Sequence, residues 1–164
     1  MSANIIKLST AFTVIFILAI IISGCSKESD PLVPQTEHLE PEGWILNDST
    51  GSAVMVIWEG AVQTDWNGRR LADTLFCSLN STSQRYSIRF LDADKNIFDA
   101  PDEEDHTFGA SVKEENIAGF IQDPLLKWSF RIQGKKTGTT SIELLVYHMG
   151  HVDVRTPFIP VAVR

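Results

Sequence analysis

The sequence predicts an all-β domain, a sandwich or a barrel, over residues 43–164. Two segments alternate with the period of a half-buried strand, Tyr86-Ser-Ile-Arg-Phe90 and Trp128-Ser-Phe-Arg-Ile132. Each places large apolar residues on one face and polar residues on the other. Turn-forming clusters separate such segments, at Asn47-Asp-Ser-Thr-Gly51, Asp92-Ala-Asp-Lys-Asn96 and Gly134-Lys-Lys-Thr-Gly138. No stretch carries a convincing helical repeat, and short strands between turns bury their apolar faces by stacking or curling into sheets.

Trp44-Ile-Leu46 opens the domain. Ser52-Ala-Val-Met-Val-Ile-Trp58 is apolar on both faces, and its length and β-branched content predict a central strand. Gly60, Asn67 and Gly68 break the next segment, and Leu75, Cys77 and Leu79 alternate after it. Ile97-Phe98 resumes beyond the Asp92 turn, followed by an acidic loop from Asp99 to His106. Phe108, Ala110 and Val112 predict a short strand. Between Glu114 and Gln122, Ile117, Phe120 and Ile121 partly fit a helix, but the internal Gly119 favours a strand. Ile142, Leu144 and Val146 line a further strand. Val152 to Val163 closes the domain, and Pro157 and Pro160 predict an edge position for it.

The C-terminal segments Phe130-Arg-Ile-Gln-Gly134, Gly138-Thr-Thr-Ser-Ile142 and Ile159-Pro-Val-Ala-Val163 resemble the last three strands of bacterial immunoglobulin-like domains. The resemblance implies an immunoglobulin-like antiparallel β-sandwich. It is structural and brings no activity with it. The antibody-type cysteine pair is missing.

Ahead of the domain, Lys7 precedes an apolar run from Ala11 to Ile22, and Ser23-Gly24-Cys25 follows. This is the order of a charged n-region, an apolar h-region and a small-residue cleavage site. The run falls short of the roughly 20 residues that cross a bilayer. A plain secretory signal would need no cysteine at the cut. Ile22-Ser23-Gly24-Cys25 resembles the lipobox of bacterial lipoproteins. That resemblance implies that residues 1–24 are a signal peptide, removed before Cys25, and that the Cys25 sulfur carries a diacylglycerol. One acyl chain binds a membrane only marginally, so a lasting anchor takes at least two, which such a cysteine carries. Ser26 replaces the aspartate that retains many lipoproteins at the inner membrane, which implies the outer membrane, on either side of it. Lys27-Glu28 with Asp30 looks like the charged export signal of some surface lipoproteins. Residues 25–42 form the lipidated cysteine and a linker. Three prolines and mixed charge in it leave little to bury, so it serves as an extended spacer.

The chain has a formal charge of −7. Without residues 1–24 it keeps 13 basic and 21 acidic residues, a charge of −8. That argues against nucleic acid and anionic lipid headgroups as partners, since both demand a basic patch. With Cys25 lipidated, Cys77 has no disulfide partner within the chain. It reads as a small buried side chain in Leu75-Phe-Cys-Ser-Leu79, with no neighbouring histidine or basic cluster to activate it. About 120 residues suffice for one core that buries roughly two-thirds of the unfolded surface.

The foremost chemical motif is Tyr147-His148-Met-Gly-His151-Val-Asp153. A turn at Met149-Gly150 makes His148 and His151 cross-strand neighbours, with Cβ atoms roughly 5 Å apart. Asp153, two residues on, is expected on the same face. In the resembled fold the loop between the last two strands lies at the end where the first strand begins, which brings His38, with Glu40 or Glu42, towards the hairpin. Three histidines, or two and a carboxylate, suit zinc or copper. The plainer reading is a polar cluster that closes the sandwich by hydrogen bonds or faces solvent. A second motif sets Asp92, Asp94, Asn96 and Glu103 at positions one, three, five and twelve of a calcium loop. Ile97 stands where that loop requires glycine, no helices flank it, and a strand–turn–strand with acidic tips explains the same residues; an acidic loop including Asp99, Asp102 or Asp105 is the other way this stretch could hold calcium.

Signatures of catalysis are absent: the sequence has no Gly-x-Ser-x-Gly elbow, phosphate loop or His-Glu-x-x-His. Its acidic residues sit in loops without the apolar surroundings that raise a carboxyl pKa. Trp66, in Thr64-Asp-Trp-Asn-Gly68, is either a contact residue at a loop tip or tucks against its own sheet. The expected function is therefore that of a lipid-anchored envelope module, adhesive or structural, acting on an envelope protein or surface ligand without catalysis. The alternative is an envelope metal-binding domain using His38, His148, His151 and Asp153 for zinc or copper.

Overall fold

A computed structural model describes residues 39–164. Cys25 and His38 lie outside the described residues, as do residues 1–24, expected to be a signal peptide, and most of the expected linker over residues 25–42.

The described residues form strands β1 (Gly43–Asn47), β2 (Ala53–Trp58), β3 (Ala61–Gln63), β4 (Asp65–Trp66), β5 (Arg69–Arg70), β6 (Leu75–Cys77) and β7 (Tyr86–Leu91). Then come β8 (Ile97–Phe98), β9 (His106–Val112), β10 (Ala118–Gln122), β11 (Ser129–Gly134), β12 (Gly138–His148), β13 (His151–Arg155) and β14 (Ile159–Val163). The first sheet runs β10-β11-β7-β1-β2-β3, with β8 also pairing β7. The second is built on the long β12. Strand β9 follows one edge of β12. The other edge is followed first by β13 and then by β14, and β6 pairs β14 in parallel.

The order β1-β7-β11-β10 in one sheet and β9-β12-β14 in the other matches the two sheets of an immunoglobulin sandwich. The fold is thus all-β and immunoglobulin-like, and the three C-terminal segments form β11, the first half of β12, and β14.

The core lies between the sheets, where Leu46, Met55, Phe90, Phe130, Ile142 and Leu144 are fully buried. Alternation was a sound guide here: Tyr86, Ile88 and Phe90 from one strand, and Phe130 and Ile132 from another, all enter this core. Cys77 is buried too, its sulfur 3.3 Å from the carbonyls of Ser81 and Ile132. Strand β2 lies inside its sheet between β1 and β3, as its doubly apolar sequence predicts. Three hairpins turn on a residue pair with positive φ, Glu59-Gly60, Asn67-Gly68 and Met149-Gly150. That backbone matches the right-handed twist of paired strands, and glycine adopts it without steric penalty.

Two expectations need correction. Strand β14 is not an edge, because it sits between β12 and β6. Pro160 is tolerated because the pairing with β6 begins one residue later, at Val161. Leu79 is exposed, since the chain leaves the sheet after Cys77. The break between β13 and β14 is bridged by Thr156. Its N–H donates to the Leu144 carbonyl at 3.0 Å, and its Oγ1 accepts the Leu144 N–H at 2.9 Å.

Candidate metal centre

Strands β9 and β12 are the pair that builds the site. Their register runs from Ile142 opposite Val112 to His148 opposite His106. Phe108 faces Val146 in the core, so two residues further the same parity sets both imidazoles at the end of the core face. The rings stack with centroids 4.4 Å apart and planes 4° from parallel. Both side chains are 8% exposed.

Asp105 immediately precedes β9, and its carbonyl accepts the Met149 N–H at 2.9 Å, which ties this loop to the β12–β13 hairpin. Its carboxylate accepts from both rings. Oδ1 lies 3.0 Å from His106 Nδ1, and Oδ2 lies 3.2 Å from His148 Nε2. Desolvation pushes the Asp105 carboxyl upward, but the hydrogen bonds and charge of the two imidazoles hold it below its ordinary value. With Nδ1–H donated to Asp105, the neutral His106 ring bears its lone pair on Nε2. That atom is buried and has no hydrogen-bond partner among the described residues.

The three residues each bring a ligand atom within 4.8 Å of the others. Zinc binds imidazole nitrogen and carboxylate oxygen at about 2.0–2.2 Å, so the edge of its coordination tetrahedron measures about 3.4 Å. The nitrogen–oxygen separations of 3.0 and 3.2 Å are near that edge, but each ring faces a different oxygen of Asp105, so a single ion would have to draw both rings towards one oxygen or take both oxygens. Parallel rings cannot aim in-plane lone pairs at one point, so a shared ion requires one imidazole to tilt out of the stack. Metal binding would also displace the protons now shared with Asp105. Three protein donors would leave a fourth coordination position open.

The other sequence-selected residues lie elsewhere. His151 pairs opposite His148 across Met149-Gly150, as the turn predicts, but it is exposed and not a member of the converging group. Asp153 does not simply follow His151 in alternation. The register passes from Tyr147–Val152 to Val146–Val154, a β-bulge that leaves Asp153 as the additional residue. Asp153 Oδ2 accepts the Leu39 N–H at 3.1 Å, so the start of the described chain does reach β13 at this end. Asp92 closes its own turn: Oδ1 accepts the N–H groups of Asp94 and Asn96, and Oδ2 accepts Asn96 Nδ2. Among the described residues no ligand group forms from Asp92, Asp94 and Glu103. The Glu103 carbonyl instead accepts from Lys127 Nζ at 2.6 Å and from the His106 N–H at 3.3 Å.

His106 was absent from the expected histidine cluster because the acidic loop runs up to it in the sequence, and Asp105 stood there only as an acidic-loop carboxylate. The signal was present, since His106 continues the parity of Phe108, Ala110 and Val112. No protein-family model, curated protein or solved structure matches this chain.

Proposed function

We propose that this protein is an envelope binding module, held to the outer membrane by acyl chains on Cys25, whose ligand-bearing site is the Asp105–His106–His148 cluster. The ligand is a divalent transition-metal ion, zinc or copper, because imidazole and carboxylate donors in this number suit both. One observation carries the reading: a carboxylate and two imidazoles bring ligand atoms within 4.8 Å of one another at the end of a core face. The anchor is supported by the order of Lys7, the apolar run and Ile22-Ser23-Gly24-Cys25.

A second reading has its own support. Both Asp105 oxygens already accept from an imidazole, so the trio also works as a polar clasp between the β9 and β12 ends. Equilibrium dialysis of the full chain in detergent separates the two. Metal binding requires one zinc or copper per chain, lost in His148→Ala. A clasp alone leaves the chain metal-free at saturating ion. For the anchor, mass spectrometry of chain purified from native envelopes is expected to show an acylated N-terminal Cys25. An unmodified chain still carrying residues 1–24 would refute the address.

A further inference from the structure

Outer faces of a two-sheet sandwich ordinarily meet solvent, yet here part of the first sheet is roofed. Ile45, Val56 and Leu91 form a second small core on that outer face, packed beneath Trp58, Trp66 and Leu71. The roof is the β4–β5 hairpin. The chain leaving it is fixed to the rest by hydrogen bonds from Leu71 N–H to Thr64 and from Ala72 N–H to Val54. Between roof and sheet a pocket of about 210 Å³ remains, lined by Ile45, Asn47, Trp66, Arg69, Leu71 and Arg89 among others. A space of that size takes a small ligand, on the scale of one six-membered sugar ring.

We propose that this pocket binds a single acidic sugar unit, a uronic acid residue of a surface glycan. None of the lining residues is acidic, although the chain as a whole carries a charge of −7. Two guanidinium groups supply the positive charge. Arg89 is aimed by one of its five donors, Nε, which binds Asp99 at 2.7 Å, and its other N–H groups remain for a ligand. Asn47 is 8% exposed, lines the pocket, and its side chain has no hydrogen-bond partner among the described residues. Its amide atoms are open to solvent, so they can exchange water for a ligand hydroxyl. Trp66 is held by Trp58, with ring centroids 6.0 Å apart, and Lys95 Nζ lies 5.4 Å from its ring. A fixed indole beside Ile45 and Leu71 suits the C–H face of a sugar, while amide and guanidinium donors suit its hydroxyls and carboxylate. This site lies on the first sheet, apart from the histidine cluster, and does not depend on metal.

The test is titration of the full chain in detergent with glucuronate, glucose and benzoate, read by tryptophan fluorescence and calorimetry. Glucuronate is expected to bind saturably, with Kd on the order of 1 mM. Arg69→Gln is expected to weaken it roughly tenfold, as loss of a charge-assisted hydrogen bond does. Arg155→Gln, outside the pocket, is expected to leave Kd unchanged, and thermal melts of both variants verify folding. Equal binding of glucose would overturn the acidic specificity, and equal binding of benzoate would overturn the sugar. No saturable response to glucuronate, or one that survives Arg69→Gln in a folded variant, would overturn the site.

Discussion

Replacing His106 by leucine separates a metal centre from a structural clasp. In the metal-free chain the substitution removes a buried nitrogen that has no partner, a relief of about 1–3 kcal/mol. It also removes the hydrogen bond to Asp105, whose side chain is 44% exposed and regains water. Leucine is similar in size to histidine and adds apolar contact beside Phe108. These effects oppose one another, so the apo variant is expected within about 1 kcal/mol of the parent, about 4 °C in Tm for a domain of this length. Zinc changes the comparison. At a free concentration one hundred times Kd, binding stabilises the native state by about 2.7 kcal/mol. The parent should therefore gain about 10 °C in Tm, and His106→Leu should lose most of that gain. Calorimetric melts of both chains, with chelator and with zinc, measure all four values. A variant that melts more than about 10 °C below the parent in chelator, with a parent indifferent to zinc, would refute the reasoning and establish the imidazole as a clasp.

Two further predictions concern the scaffold. Gly134→Ala would place a Cβ 2.3 Å from the Ser78 carbonyl oxygen and 3.0 Å from Val163 Cγ1, where backbone cannot yield. A loss of about 1–3 kcal/mol is expected in urea unfolding. Gly119→Ala meets the flexible Lys135 Cε at 2.8 Å instead, so it should stay within about 1 kcal/mol of the parent. Asp48 and Asp92 are both held below the ordinary carboxyl range, the first mainly by the Thr50 side chain and the second mainly by that of Asn96. A depressed native pKa contributes stability above the unfolded value, about 3.9, and loses it as pH falls through the native one. Urea midpoints should therefore decline below about pH 4, and Asp48→Asn with Asp92→Asn should flatten that decline. An unchanged acid limb would contradict the hydrogen-bonding assignment.

Local chemistry made most strands legible. The period-two segments reached the core as their parity required, and glycine at the second turn position placed His151 opposite His148. What the sequence hid was non-local. Nothing in the residues around His148 reveals that β9, rather than the nearer β13, supplies its ring partner, because register between distant strands is set by the packed core. The bulge that displaces Asp153 breaks the same parity rule that succeeded elsewhere. Pro160 misled for a related reason: proline excludes a strand from a ladder only where a partner needs its N–H. Trp66 tucks against Trp58 and also lines a pocket.

X-ray absorption at the zinc edge, on the full chain loaded with one equivalent, tests the proposed centre most directly. Two imidazole nitrogens and a carboxylate oxygen at about 2.0–2.2 Å are expected, with the imidazole signal reduced in His106→Leu and again in His148→Ala. An ion coordinated by water and scattered carboxylates, or a spectrum the same in all three proteins, would contradict it.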